Sequence, residues 1–233
     1  MKTHRVSLGL PNPEKACRIF VHVILVLLFA HLAATVLENL FGISEAFGLL
    51  PLFHFDAEQN LPTFYSVVLI LLAACCMFAA RERSPVLYKG IRFRDMIGIL
   101  LILLAMDEFA SIHERIGGSL ALILPTDGIF HHAWLIPYLC LGALLAPLGL
   151  QWFLKESRSV QFGVALGGCI FLLGAVGLEM ISGLVHSSNL SADMVAKITF
   201  GTSTFEELLE MTGMLVVLIA MYRELLNSGH NCV

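Results

Sequence analysis

The sequence predicts an all-α, polytopic integral membrane protein, a six-transmembrane-helix bundle forming a single domain over residues 1–233. Three observations predict it. The chain is 58% hydrophobic and only 14% charged, with a mean hydropathy of +0.83, which is unlike a soluble domain. Six apolar runs approach or exceed the length, about 20 helical residues, that crosses a hydrocarbon core. They are about residues 19–41, 62–80, 96–116, 130–153, 161–186 and 200–222. The basic residues then sort by connection. Lys2, Arg5, Lys15 and Arg18 precede the first run; Arg81, Arg83, Lys89, Arg92 and Arg94 fall in the second connection; Lys155 and Arg158 in the fourth; Arg223 at the end. Of the 14 Lys and Arg, only Arg115 and Lys197 lie on the other side. The positive-inside rule then places both termini in the cytoplasm, as for a protein of a bacterial inner (plasma) membrane.

The first span begins on a basic segment, as a signal peptide does, but its apolar run continues to Phe41 with no small-x-small site after it, so retention is expected. The connection 42–61 is itself apolar, with Phe47, Leu49, Leu50, Phe53 and Phe55 around His54 and Asp56. Such a segment lies in the interface or packs as a lid over the bundle, and it is also a candidate gate. The second span carries no ionisable residue in its interior and is expected to face lipid. Pro137 and Pro147 predict kinks in the fourth span, whose face His131, Trp134, Tyr138 is placed to close a polar cluster. In the fifth span, Gly163, Gly167 and Gly174 predict a close helix–helix contact, while Gly168 and Ala175 continue the Glu179 face as small residues. No C-x2-C pair exists among Cys17, Cys75, Cys76, Cys140, Cys169 and Cys232, so neither a disulfide framework nor a thiolate zinc site is expected.

Four spans carry polar stripes at helical spacing: His31/Thr35/Glu38, Asp107/Ser111/Glu114, Glu179/Ser182/His186 and Ser203/Glu206/Glu210. Each ionisable group near mid-membrane costs about 2.5–3.5 kcal/mol even on the mildest scale. One intramembrane Glu is often no more than a hydrogen-bonded tie between helices; stripes on four helices need a further cause. A rise of about 1.5 Å per residue sorts them into two layers about 10 Å apart. The deep layer has His31, Asp107, Glu179 and Glu210; the shallow one has Glu38, Glu114, His186 and Glu206. Glu108, His113 and Glu207 flank the stripes.

One imidazole with three carboxylates per layer suits a divalent metal, Fe, Mn or Zn. The expected metal ligands are therefore His31, Glu38, Asp107, Glu114, Glu179, His186, Glu206 and Glu210. Glu108 and Glu207 are the expected catalytic carboxylates, acting as general base. The seven-residue spacing separates the two layers too far for one ion, so one layer is the site. The expected function is a metal-dependent enzyme acting on a lipid or other membrane-soluble substrate from the outer half of the bilayer. Two alternatives stand beside it: a proton- or cation-coupled transporter using the same carboxylate ladder, and a haem or assembly subunit of a membrane complex. Membrane lipids and other membrane subunits are the expected partners; nucleic acid is not. Ser111, Ser182 and Ser203 as nucleophiles are less favoured than as hydroxyls bonding back to the preceding turn.

Overall fold

The structure, a computed structural model, describes residues 11–229. Lys2, Arg5 and Cys232 lie outside the described residues. Helix α1 (Pro13–Phe41) starts with Pro at its first position, where the missing N–H is not needed, and with the Asn12 side chain accepting from the Glu14 N–H. It ends at Gly42, whose φ of +65° closes the helix in the left-handed region. After a short 3₁₀ turn (Leu50–Phe53), α2 (Leu61–Ala79) is capped by Asn60, which accepts from the Thr63 N–H. A two-stranded hairpin, β1 (Val86–Tyr88) with β2 (Ile91–Arg92), leads into α3 (Phe93–Ala110) and α4 (Ile112–Ala121). Then come α5 (Leu135–Phe153), α6 (Arg158–Leu172), a π turn (Leu173–Leu178), α7 (Glu179–His186) and α8 (Ala192–Gly229).

The fold is all-helical apart from that hairpin. Four stretches are long and apolar enough to cross a membrane: Pro13–Phe41, Leu61–Ala79, Leu135–Phe153 and Arg158–His186. A fifth joins them if α3 and α4 count as one broken span.

Three expectations need correction. The third run is not one helix. Ser111 adopts φ 49° and ψ 48°, and α4 turns 68° from α3. A non-glycine residue there costs roughly 1–2 kcal/mol, and its surroundings hold it: the Ser111 hydroxyl donates to Glu58 Oε2 at 3.2 Å. The second span is largely interior rather than peripheral. Leu69, Ile70, Ala73 and Met77 are fully buried, because α2 packs between α3 and α8. An apolar side chain satisfies a lipid and a protein interior equally, so the lack of charge cannot tell them apart. Pro137 falls in the first turn of α5, which tolerates it; only Pro147 lies inside the helix.

The small-residue contact forms as its spacing predicts. A Cβ on Gly167 would lie 2.6 Å from the Gly213 carbonyl oxygen, and one on Gly174 2.9 Å from that of Glu206. Thus α6 and the π turn lie backbone to backbone on α8. At the opposite end, Arg94 is buried and forms a two-pronged pair with Glu156 while donating to the Ala80 carbonyl oxygen. Glu224 of α8 lies 4.0 Å from the same guanidinium. This basic end therefore ties α2, α3, α5 and α8 together, and the acidic stripes converge at the other.

Candidate functional site

The acidic end encloses a cavity of about 700 Å³. Its wall takes Asp56 and Glu58 from the connection before α2, and Asp107 and Glu108 from the last turn of α3. Glu114 comes from α4, Glu179 from α7, and Glu206, Glu207 and Glu210 from α8. His113, His132 and His186 also line it, with Trp134 and Tyr138. Among the described residues, no lysine or arginine reaches this wall.

Several of these groups are held in place. Tyr138 donates its hydroxyl to Asp107 Oδ1 at 2.5 Å, and His113 Nδ1 sits 3.1 Å from Oδ2. The break at Ser111 makes the second contact possible, because on a continuous helix residues six apart do not face each other. Glu179 receives the indole N–H of Trp134 at 3.1 Å, and His132 Nδ1 lies 3.1 Å from the same oxygen. The fourth span thus closes the cluster, as its Trp134 and Tyr138 predict. The carboxyl groups of Glu179 and Glu206 lie within hydrogen-bonding reach of each other. Glu58, Glu108, Glu207 and Glu210 interact electrostatically across the far end of the cavity. Glu207 Oε2 is buried without a hydrogen-bond partner.

The two layers read from the spacing do not survive as layers. The π turn and the break at Ser111 change helix phase, and Glu179 from the deep set meets Glu206 from the shallow one. Of the expected ligands, Asp107, Glu114, Glu179, His186, Glu206 and Glu210 line the one cavity, as do Glu108 and Glu207. His31 and Glu38 do not. His31 is fully buried, stacked between Phe55 and Phe200. Its Nδ1 accepts from the Phe55 backbone N–H at 3.2 Å. The proton therefore sits on Nε2, which donates to the Thr204 hydroxyl at 3.1 Å. Both nitrogens are used, and no lone pair remains for a metal. Glu38 is half-exposed and lies 3.7 Å from His54 Nε2, outside the cavity.

Spacing within spans missed Glu58, whose only sequence signal is an acid inside an apolar connection. Burial raises its carboxyl above the ordinary range, opposed by His113 and the Ser111 hydroxyl. It also left His131 and His132 as span-end residues. Among the described residues, His131, His132 and His186 form a group of metal-type donors whose ligand atoms all lie within 4.8 Å of one another. Burial lowers the proton affinity of His131 and His132, and the neighbouring imidazoles lower it further. Glu114 works in the opposite direction on His132.

Residues 18–225 match the family described as Domain of unknown function (DUF8692). The chain belongs to that family. The matched span holds every residue that lines the cavity, those of the connection before α2 included. No curated protein and no solved structure matches the chain.

Proposed function

We propose that this family member is a six-span membrane bundle whose acidic cavity is the active site of a metal-dependent enzyme acting on a lipid or other membrane-soluble substrate. In this reading α3–α4 form the third span and α8 the sixth. Lys15, Arg18, Arg94, Lys155, Arg158 and Arg223 cluster at the basic end, which favours a cytoplasmic position for it and for both termini. The cavity then opens in the outer half of a bacterial inner membrane.

One observation carries the reading: among the described residues, nine carboxyl side chains share a wall with three imidazoles and no lysine or arginine. Their charge needs protons or a bound cation as counterweight. Carboxylate with imidazole is the donor set of Fe, Mn and Zn. When bound, such an ion supplies Lewis-acid polarisation and an activated water.

The chain's own groups supply the rest. Glu207, with a free buried oxygen, is placed to accept a proton as general base, with Glu108 beside it on the same wall. Glu206, whose carboxyl lies beside Glu179, is placed to return one. Tyr138 and His113 fix Asp107 so that its orientation does not depend on substrate. Trp134, Leu135, Phe171 and Leu172 give the cavity an apolar side suited to an acyl or isoprenoid chain. Beyond Glu210, α8 continues as Met211, Met214, Leu215 and Leu218, all buried in the apolar core. Among the described residues, no polar ladder reaches the basic end, which favours a site over a transport path.

The test is metal analysis of the detergent-purified protein together with its visible spectrum. Near-stoichiometric Fe, Mn or Zn in the wild type is the expected result. A folded, metal-free and colourless wild type overturns the reading in favour of proton-coupled transport, and a Soret band overturns it in favour of haem.

A further inference from the structure

We infer that His131, His132 and His186 form a three-histidine site for a zinc-class divalent ion on the cavity wall, with Glu179 as the positioning residue for His132. The inference deepens the metal reading above by moving the ion from the carboxylates, where the spacing of the stripes puts it, to the imidazoles.

The imidazoles come from two segments that are clamped together before any ion is considered. His131 and His132 follow the turn Gly128–Phe130, and His186 ends α7. The Gly128 N–H donates to the Ser187 hydroxyl at 2.8 Å. A Cβ on Gly183 would lie 2.6 Å from the Gly128 carbonyl oxygen and 3.1 Å from the His131 Cβ. The turn therefore lies directly on the backbone of α7, and only glycine permits it. The His131 and His186 rings stack at 5.1 Å and 15°, while His132 stands edge-on to both.

The hydrogen bonds then settle which nitrogens are free. His186 Nδ1 lies 2.9 Å from the Ser182 carbonyl oxygen, which can only accept, so Nδ1 carries the proton and Nε2 the lone pair. His132 Nδ1 lies 3.1 Å from Glu179 Oε1, and a carboxylate there accepts a hydrogen bond from the Nδ1–H. That leaves His132 Nε2 with a lone pair, and this atom is buried with no hydrogen-bond partner. A buried nitrogen without a partner costs about 1–3 kcal/mol, which a metal bond removes. Metal-bound histidines characteristically donate their second N–H to a carboxylate or a backbone carbonyl, and here one does each.

Three nitrogens about 2.0–2.1 Å from one tetrahedral ion lie about 3.4 Å apart. One nitrogen of each ring lies within 4.8 Å of one nitrogen of the other two, and ring rotation about the side-chain bonds is what would close the set onto one ion. Three imidazoles with no thiolate suit zinc, and three protein ligands leave a fourth position for water. His132 and His186 both line the cavity, so that position faces it. Glu114, which lines the same wall and interacts with His132, is the carboxylate nearest in role to accept a proton from the bound water.

Cobalt(II), titrated into the chelator-stripped, full-length protein in detergent, tests the site through the ligand-field bands of a four-coordinate ion. One equivalent should bind with the intense visible bands of tetrahedral geometry. His186 is exposed, so His186→Gln should leave folding unchanged while weakening cobalt binding at least tenfold. His132→Gln should do the same. Glu179→Gln should retain one equivalent but lose affinity by 10–100-fold, the usual consequence of losing a partner behind a ligand. Glu210→Gln should leave the cobalt spectrum unchanged. Binding that survives both histidine variants but is lost in Glu210→Gln overturns the trio and leaves the metal-enzyme reading standing on the carboxylates. A weak, six-coordinate spectrum also overturns it. No binding to a folded wild type overturns both.

Discussion

Gly167 and Gly168 are adjacent on α6, and adding one methyl group to each should have opposite effects. At Gly167 the new Cβ meets the Gly213 carbonyl oxygen at 2.6 Å and the Val217 amide nitrogen at 2.9 Å, where ordinary contact begins at 3.4 Å. Both obstacles are backbone, so no rotamer change relieves them, and α6 must part from α8 by most of an ångström. Overpacking a tight core costs about 1–3 kcal/mol, and this contact belongs at the upper end. At Gly168 nothing lies within 4 Å, and replacing a mid-helix glycine by alanine gains about 0.8–1 kcal/mol of helix propensity. Thermal unfolding of the two variants in one detergent should place Gly167→Ala several degrees below the wild type and Gly168→Ala level with it or above. Because the same contact seats Gly174 against Glu206, Gly167→Ala should also weaken metal retention. Equal midpoints for the two variants would refute the backbone-to-backbone packing of α6 on α8.

Three further outcomes are expected. Arg94→Met removes the partner of a buried carboxylate and should cost about 3–5 kcal/mol, read as a large fall in the unfolding midpoint; adding Glu156→Gln should recover part of it, and a loss under 1 kcal/mol would count against the pair. His31→Leu orphans the Phe55 N–H and should cost about 1–3 kcal/mol, with metal content by elemental analysis unchanged; loss of metal would return His31 to the ligand set. Burial raises the Glu58 carboxyl above its ordinary value of 4.5, so the folded state prefers its neutral form. The stability it contributes is complete below that ordinary value and is lost as pH rises through the raised one. Glu58→Gln should therefore unfold at a higher temperature than wild type at pH 8, with the difference vanishing near pH 4; the reverse trend would contradict the burial argument.

The helical class, the apolar stretches and the convergence of acids at one end were legible because hydropathy and charge are properties of local composition. So was the Gly163/Gly167/Gly174 contact, since small residues at helical spacing leave a backbone bare. Ser111 shows where that legibility stops. Around Ser111 in MDEFASIHERIG no glycine or proline marks the break, and the left-handed turn depends on Glu58, about fifty residues away in sequence. His31 is the same case in reverse. Its place in a polar stripe implies a ligand, yet its acceptor nitrogen is taken by the backbone of Phe55, which no periodicity in α1 can reveal. The imidazole trio depends on Gly183 of α7 admitting the turn at Gly128, a contact between a helix and a distant connection rather than within one helix. Partners that lie far apart in the chain are what the stripes could not supply.

The π turn at Leu173–Leu178 separates two tasks along one rod. Before it, the rod's orientation is set by glycines pressed on α8; after it, by what Glu179, Ser182 and His186 must face. A π turn is in effect one residue inserted into an α-helix, and each residue accounts for about 100° of rotation. Deleting a single residue between 173 and 178 would leave a regular helix of nearly the same length and hydropathy. It would also swing Glu179 and His186 together about a quarter-turn away from the cavity. The bulge is thus the helix's angular adjustment, and alignments that slide a gap across it change which face carries the chemistry while leaving the span itself intact.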